Sequence, residues 1–269
     1  MSRLSFSDTV SETFAFFFGN LRPFFHLVTI PWILSLSLLL ANVLLGQGIQ
    51  MTALVEKALD AIPTTMFMVV WMRFVLLGPR GIDRLPGLGW SARESNFLVH
   101  LIKIAGITFL LIGAFVLTLG SIDPAALRGG AVDPETARRQ AMAAPLGVGF
   151  MVSALLALRV SFGLAATALD IPFSPRPSWA YSRGSAWAII GLLFMVFFVG
   201  AIATLMATVV SQVVVVGLFG AETAAAVIAG AIAILFSYAT VGVAATAQAI
   251  IFRRLTGWRP DRPLEPPRE

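Results

Sequence analysis

The chain has 269 residues, of which 58% are apolar and only 12% charged, with a mean hydropathy of +0.87; that is too little polar surface to coat one soluble domain, so a water-soluble enzyme is excluded. The net charge of +5 does not mark a nucleic-acid binder, because the arginines lie at helix ends and form no basic patch with interleaved aromatics; topology and lipid headgroups account for them. Cysteine is absent, which excludes disulfides, thiolate metal sites, thiol nucleophiles and S-palmitoylation.

Residues 5–20 open the pattern. Phe6, Val10, Phe14 and Phe17 recur at near-helical spacing while Asp8 and Glu12 face elsewhere. This predicts a helix lying in the membrane interface, with its Phe side chains in the acyl boundary. Apolar runs then follow at 24–45, 61–78, 97–119, 143–168, 186–210 and 224–252. A helix of about 20 residues spans the ~30 Å hydrocarbon layer, so each run predicts a crossing. The first is too long for a signal-peptide core and is expected to stay as an anchor.

The predicted organisation is all-α: an N-terminal interfacial amphipathic helix over 1–23, a six-helix transmembrane domain over 24–252, and a basic, Pro-rich, disordered tail over 253–269. Lys and Arg crowd one side, at Arg3, Arg22, Arg80, Arg84, Arg93, Lys103, Arg176, Arg183, Arg253, Arg254 and the tail. The other side has Lys57, Arg128, Arg138 and Arg139. Both termini are therefore expected in the cytoplasm. Between the third and fourth spans, Asp123-Pro124 and Asp133-Pro134-Glu135 read as N-caps followed by Pro, predicting a short outer helix.

A shift of 165 positions sets Phe14-Ala-Phe16-Phe-Phe-Gly19-Asn20 against Trp179-Ala-Tyr181-Ser-Arg-Gly184-Ser185. Either each half is an interfacial helix feeding a hairpin, or interfacial helices simply favour aromatics and Gly. In the last span, Ala226, Gly230, Ser237, Gly242 and Thr246 predict close helix packing. Pro31 and Pro145 predict kinks.

Charges within spans are the candidates for chemistry. Arg73, in Trp71-Met-Arg73-Phe74, either snorkels to the interface beside a belt tryptophan or holds a lipid phosphate or a carbonyl cluster inside the bundle. The run before Arg159 is already long enough to span. Either the helix ends near Arg159, or Arg159 sits deep in a helix that continues to Ala168 and places Asp170 on the same face of a shared groove. Arg73, Arg159 and Arg183 are the candidate anion or lipid-headgroup site. His26 and His100 could ligate a haem between helices, yet no other signal supports a cofactor and none is expected. All fourteen Asp and Glu fall in loops, tails or span ends, so no acidic relay is expected in the hydrocarbon. No catalytic or metal set is legible.

The strings Trp71-Met-Arg73-Phe74-Val75-Leu76-Leu77-Gly78, Arg159-Val-Ser161-Phe-Gly-Leu-Ala-Ala-Thr-Ala168 and Ser178-Trp179-Ala-Tyr181-Ser-Arg183-Gly184-Ser185-Ala-Trp187 resemble a group of bacterial six-helix inner-membrane proteins. These are akin to YciC-like proteins and to the membrane domain of some glycerophosphoryl diester phosphodiesterases. The resemblance implies an inner-membrane bundle with interfacial helices before the first and fifth spans. It imports no catalysis, because the phosphodiesterase activity belongs to a separate soluble domain. The expected function is non-enzymatic: interaction with anionic lipid headgroups or partner membrane proteins, as a scaffold, assembly factor or subunit, with a homo-oligomer as one form. The alternative is an uncoupled transporter or lipid-translocating protein with an arginine-lined anion site.

Overall fold

A computed structural model of the chain describes residues 4–45, 53–86, 88–119, 134–172, 175–220 and 222–261. Among them every regular element is helical: α1 Phe6–Gly19, α2 Leu21–Leu45, α3 Ala53–Leu77, α4 Ala92–Leu119, α5 Pro134–Ser161, α6 Leu164–Ala168, α7 Pro175–Tyr181, α8 Ala186–Phe219 and α9 Glu222–Thr256, with a 3-10 turn at Gly78–Gly81. The helical bundle and its multi-pass character follow the apolar runs. Among the described residues five helices are long and apolar enough to cross a membrane, namely α2, α3, α4, α8 and α9. In α5 the apolar stretch found among the described residues, Gly147–Ser161, is shorter.

Four boundaries move, one of them the end of α8, which runs on to Phe219 where the apolar run was expected to stop at 210. Helix α3 starts at Ala53 and carries Pro63 inside it, so the span expected over 61–78 is longer at the end away from the arginines. Helix α5 starts at Pro134, where proline's fixed φ suits the first helical turn, and runs unbroken to Ser161. The outer helix expected at Pro134 and the fourth span are thus one helix; Asp123-Pro124 lies outside the described residues. At the other end α5 stops at Ser161 and α6 follows as a separate turn. That break ends the helical phase on which Arg159 and Asp170 would have shared a face.

Consecutive long helices pair as hairpins, α2 with α3, α4 with α5 and α8 with α9, and α9 also packs on α1, α2 and α3. Its small residues allow this. A Cβ at Gly230 would lie 2.6 Å from Leu39 Cδ2, and one at Gly242 would lie 2.9 Å from a Phe17 ring carbon. The core is aromatic. Trp71 is 0% exposed and stands among Phe16, Phe17, Phe24, Phe67 and Phe74. Its Nε1 donates to Gly242 O and to Thr246 Oγ1, each at 2.9 Å. Trp71 is therefore a core residue and not a belt residue.

Helix α1 forms as expected, with Ser5 as its N-cap. Its buried face is Thr9, Thr13 and Phe17, one residue per turn, and Glu12 pairs with Arg253 and with Arg254. So α1 is docked on the end of α9, and Phe17 lies in the protein core instead of the acyl boundary. The same pairs keep 253–254 in the last turn of α9, ahead of the expected tail; positions 262–269 lie outside the described residues. The internal echo holds in placement, a short helix before α2 and another before α8, but not in backbone. Gly184 has φ +84°, whereas Gly19 is an ordinary helical residue.

Candidate functional site

At the arginine-rich end the sequence-predicted cations separate into two groups. The first is a closed ionic cluster built on Arg73. Gly78, with φ +69°, ends α3 in the left-handed conformation that glycine adopts without steric cost. The chain then folds back so closely that a Cβ at Gly81 would lie 2.6 Å from Arg73 O. Arg73, only 9% exposed, donates from Nε to Gly81 O at 3.0 Å, from Nη1 to Ala168 O at 3.2 Å and from Nη2 to Asp83 Oδ2 at 3.0 Å. Of the readings open for Arg73, the carbonyl cluster is the one realised, with a carboxylate added. Arg93 joins Asp83 at 3.0 Å and Asp170 at 2.8 Å. Asp170 has φ +62°, a conformation that Asp tolerates better than most side chains.

Burial raises the Asp83 carboxyl, but the Arg93 hydrogen bond and the Arg73 and Arg93 charges outweigh this and hold it below the ordinary aspartate value. Beside the cluster, Ser91 and Glu94 form a capping box at the start of α4. Ser91 N donates to Glu94 Oε2 at 2.8 Å, and Arg93 N donates to Ser91 Oγ at 3.2 Å.

The second group surrounds a cleft of about 310 Å³ between α4, α5, α6 and α7. Helix α4 contributes His100, Lys103, Ile104, Ile107 and Thr108, and α5 contributes Ser153, Leu156, Ala157 and Val160. Both sets follow i, i+3, i+4, i+7 spacing, so two facing helical stripes make the walls. Trp179 and Ser178 of α7 close one end. Arg159 stands behind Trp179, its guanidinium carbon 3.4 Å from the ring centroid. It donates to Ser182 Oγ at 2.9 Å and to Trp179 O at 3.4 Å. Among the described residues neither Arg159 nor Lys103 has a carboxylate partner.

Arg183 is exposed in the turn after α7 and near enough to act electrostatically on Arg159. The structure thus brings Arg159 and Arg183 into one neighbourhood. None of the partners of Arg73 lines the cleft. Ser153 adds an independent feature: it is 1% exposed, it lines the cleft, and its Oγ has no hydrogen-bond partner among the described residues. His26 is exposed on α2, while His100 lines the cleft with Nδ1 2.8 Å from Asn96 O.

Lys103, His100 and Trp179 were missed as a set. They sit on two helices, α4 and α7, up to 79 positions apart, and only the packing of both helices against α5 unites them. The matching stripes on α4 and α5 were the available signal. A second miss concerns acid in the spanning region. Glu56 stands at the end of the Val55–Gly81 stretch, as expected of a carboxylate, whereas Asp60 lies a turn further in. Ser35 Oγ donates to Asp60 Oδ1 at 2.5 Å and lies 2.8 Å from Tyr238 Oη, which in turn reaches Pro31 O at 3.3 Å. Asn42 Nδ2 donates to Glu56 Oε2 at 3.2 Å. These carboxylates are tied into helix contacts between α2, α3 and α9.

Among its described lining residues the cleft offers one Lys or Arg, Lys103, together with the Trp179 ring and aliphatic walls, and Arg159 stands behind that ring. That arrangement suits a molecule with an anionic head and an apolar tail. Comparison with protein-family models, with curated proteins and with solved structures gives no match.

Proposed function

We propose that this chain is a six-crossing inner-membrane protein, arginine-rich end in the cytoplasm, that holds an anionic lipid of the cytoplasmic leaflet in the α4–α7 cleft. The observation that carries the reading is a cleft whose described lining holds Lys103 and no carboxylate, with Arg159 stacked behind its Trp179 wall. A cation inside the membrane boundary without a protein counter-ion is costly unless an anion or water meets it. Lys103 is exposed on α4, and its long stem lets the ammonium reach headgroup level. The phosphate would sit against Lys103, with Arg159 adding positive charge from behind the Trp179 ring, Ser153 Oγ and His100 as further polar contacts, and one acyl chain along Ile104, Leu156 and Leu164. The role is binding, and no bond-breaking step is invoked.

Each cation near an anionic headgroup contributes about 1 kcal/mol, so two give a preference of more than about tenfold for an anionic over a zwitterionic lipid. Quenching of Trp179 by brominated phosphatidylglycerol, compared with brominated phosphatidylcholine in reconstituted bilayers, measures it. A Lys103→Ala/Arg159→Ala double variant is expected to lose the preference while keeping its fold. Equal quenching by both lipids in the unmodified protein would remove the proposal.

A lipid-translocating role is the second reading, favoured by one observation. A larger cavity further along the bundle shares Ile104, Ala157 and Leu164 with the cleft. It predicts that Arg159→Ala abolishes flux of a labelled anionic lipid in liposomes; unchanged flux would leave binding alone.

A further inference from the structure

The larger cavity has different chemistry from the cleft. Its volume is about 680 Å³ and its walls come from α3, α4, α5, α6, α8 and α9. Among the described residues its lining carries no charged side chain; Thr64, Ser161 and Gln248 are the polar members. It opens sideways. Phe150, Phe194 and Phe198 line it and are themselves 62%, 59% and 56% exposed, on helices that face hydrocarbon. A molecule entering here comes from the bilayer and not from water.

Gln248 is the feature that packing does not explain. It is 4% exposed, on α9. Its Nε2 donates to Ser161 Oγ at 3.2 Å, while Ser161 Oγ spends its own proton on Leu158 O at 2.9 Å. Ser161 can therefore only accept from the amide. This leaves Gln248 Oε1 with no partner among the described residues. A buried acceptor without a donor is an unfavourable arrangement that a bound donor would relieve.

We propose that this cavity takes a neutral membrane lipid with a free hydroxyl, of the diacylglycerol class, whose O–H donates to Gln248 Oε1. The uncharged lining argues against an ionised headgroup, since a charge would be desolvated there with nothing to pair with. A carboxylate or a carbonyl would present an acceptor to an acceptor. The volume lies in the range typical of small-molecule sites, and the aromatic rim receives acyl chains. The inference stands apart from the anionic-lipid cleft and survives the failure of that reading.

The test is photolabelling of the intact protein in phosphatidylcholine vesicles containing a diazirine-tailed diacylglycerol, with the labelled peptides mapped by mass spectrometry. Labels are expected on α5, α8 and α9. The same probe with its hydroxyl acetylated should label about fivefold less, the worth of one neutral hydrogen bond. Gln248→Leu should bring the two probes to the same low level and leave the phosphatidylglycerol preference of the cleft intact. If Gln248→Leu does not fold, Phe198→Trp, at an exposed rim position, should reduce labelling by the free-hydroxyl probe. Equal labelling by both probes in the unmodified protein, or labels confined to other helices, would overturn the proposal.

Discussion

Replacing Arg73 by Leu separates a structural arginine from a ligand-binding one. The variant keeps an apolar side chain in an apolar helix but removes three donated hydrogen bonds, to Gly81 O, Ala168 O and Asp83. Asp83 is about half exposed, at 48%, and keeps Arg93, so water and the remaining arginine recover most of its stabilisation. The two carbonyls are the larger loss. Gly81 is buried and pressed onto the end of α3, and Ala168 is 0% exposed. Stranded buried acceptors cost about 1–3 kcal/mol each, and with the weakened ion pair the sum is about 3–5 kcal/mol. For a chain of this length that corresponds to a fall of roughly 10 °C in apparent melting temperature.

Thermal unfolding in one detergent, followed by loss of the monodisperse chromatographic peak, reads this directly. Arg159→Leu is the control. Its guanidinium lies on a part-exposed ring and holds no carboxylate, so the expected loss is below about 1.5 kcal/mol. Arg73→Leu molecules that remain folded should keep the phosphatidylglycerol preference, and Arg159→Leu molecules should show it weakened. A melting temperature of Arg73→Leu within about 2 °C of the unmodified protein, or a larger fall for Arg159→Leu, would refute the division of roles.

Three further outcomes follow from the packing and the charges. Gly242→Ala should destabilise by about 1–3 kcal/mol, because its Cβ meets Phe17 and Phe24 ring carbons at 2.9 and 3.3 Å; Gly230→Ala, which meets only the flexible end of Leu39, should cost less, and equal melts would contradict the contact geometry. Trp71→Phe keeps the aromatic core but removes the donor to Gly242 O and Thr246 Oγ1, so a loss of about 1–2 kcal/mol is expected in the same melt. The Asp83 carboxyl is held below its ordinary value, so the stabilisation it gives is fully present above about pH 4 and is lost as pH falls through its lower folded value. Asp83→Asn should flatten that acid limb of the melting-temperature profile, and a profile unchanged by the substitution would deny the ion pair its role.

Much of the fold was legible because hydrocarbon imposes a length and composition that a single sequence displays directly. Helices α2, α4 and α9 follow the apolar runs closely, and α8 starts where expected but runs about two turns further. The misses have local causes. Glu56, Lys57 and Pro63 look like a span end, yet α3 continues through them, since Asp60 and Glu56 find partners on α2. Trp71 carries the same letters as a belt tryptophan; the acceptors on α9, Gly242 O and Thr246 Oγ1, show why it is inside. The site was half legible. Arg159 and Arg183 share a neighbourhood, as read from the sequence, whereas Arg73 is consumed by carbonyls and carboxylates from two other segments, 81–83 and 168–170. No periodicity reports such a fold-back. Lys103 looked like one more topological cation until α4 and α5 were placed face to face.

The most direct test of the account is native mass spectrometry of the protein released gently from its own membrane. One anionic phospholipid per chain is predicted to remain bound to the unmodified protein and to the folded fraction of Arg73→Leu, and to be lost from Lys103→Ala/Arg159→Ala. Retention of the same lipid by that double variant, or an unmodified protein carrying only zwitterionic lipid, would contradict it.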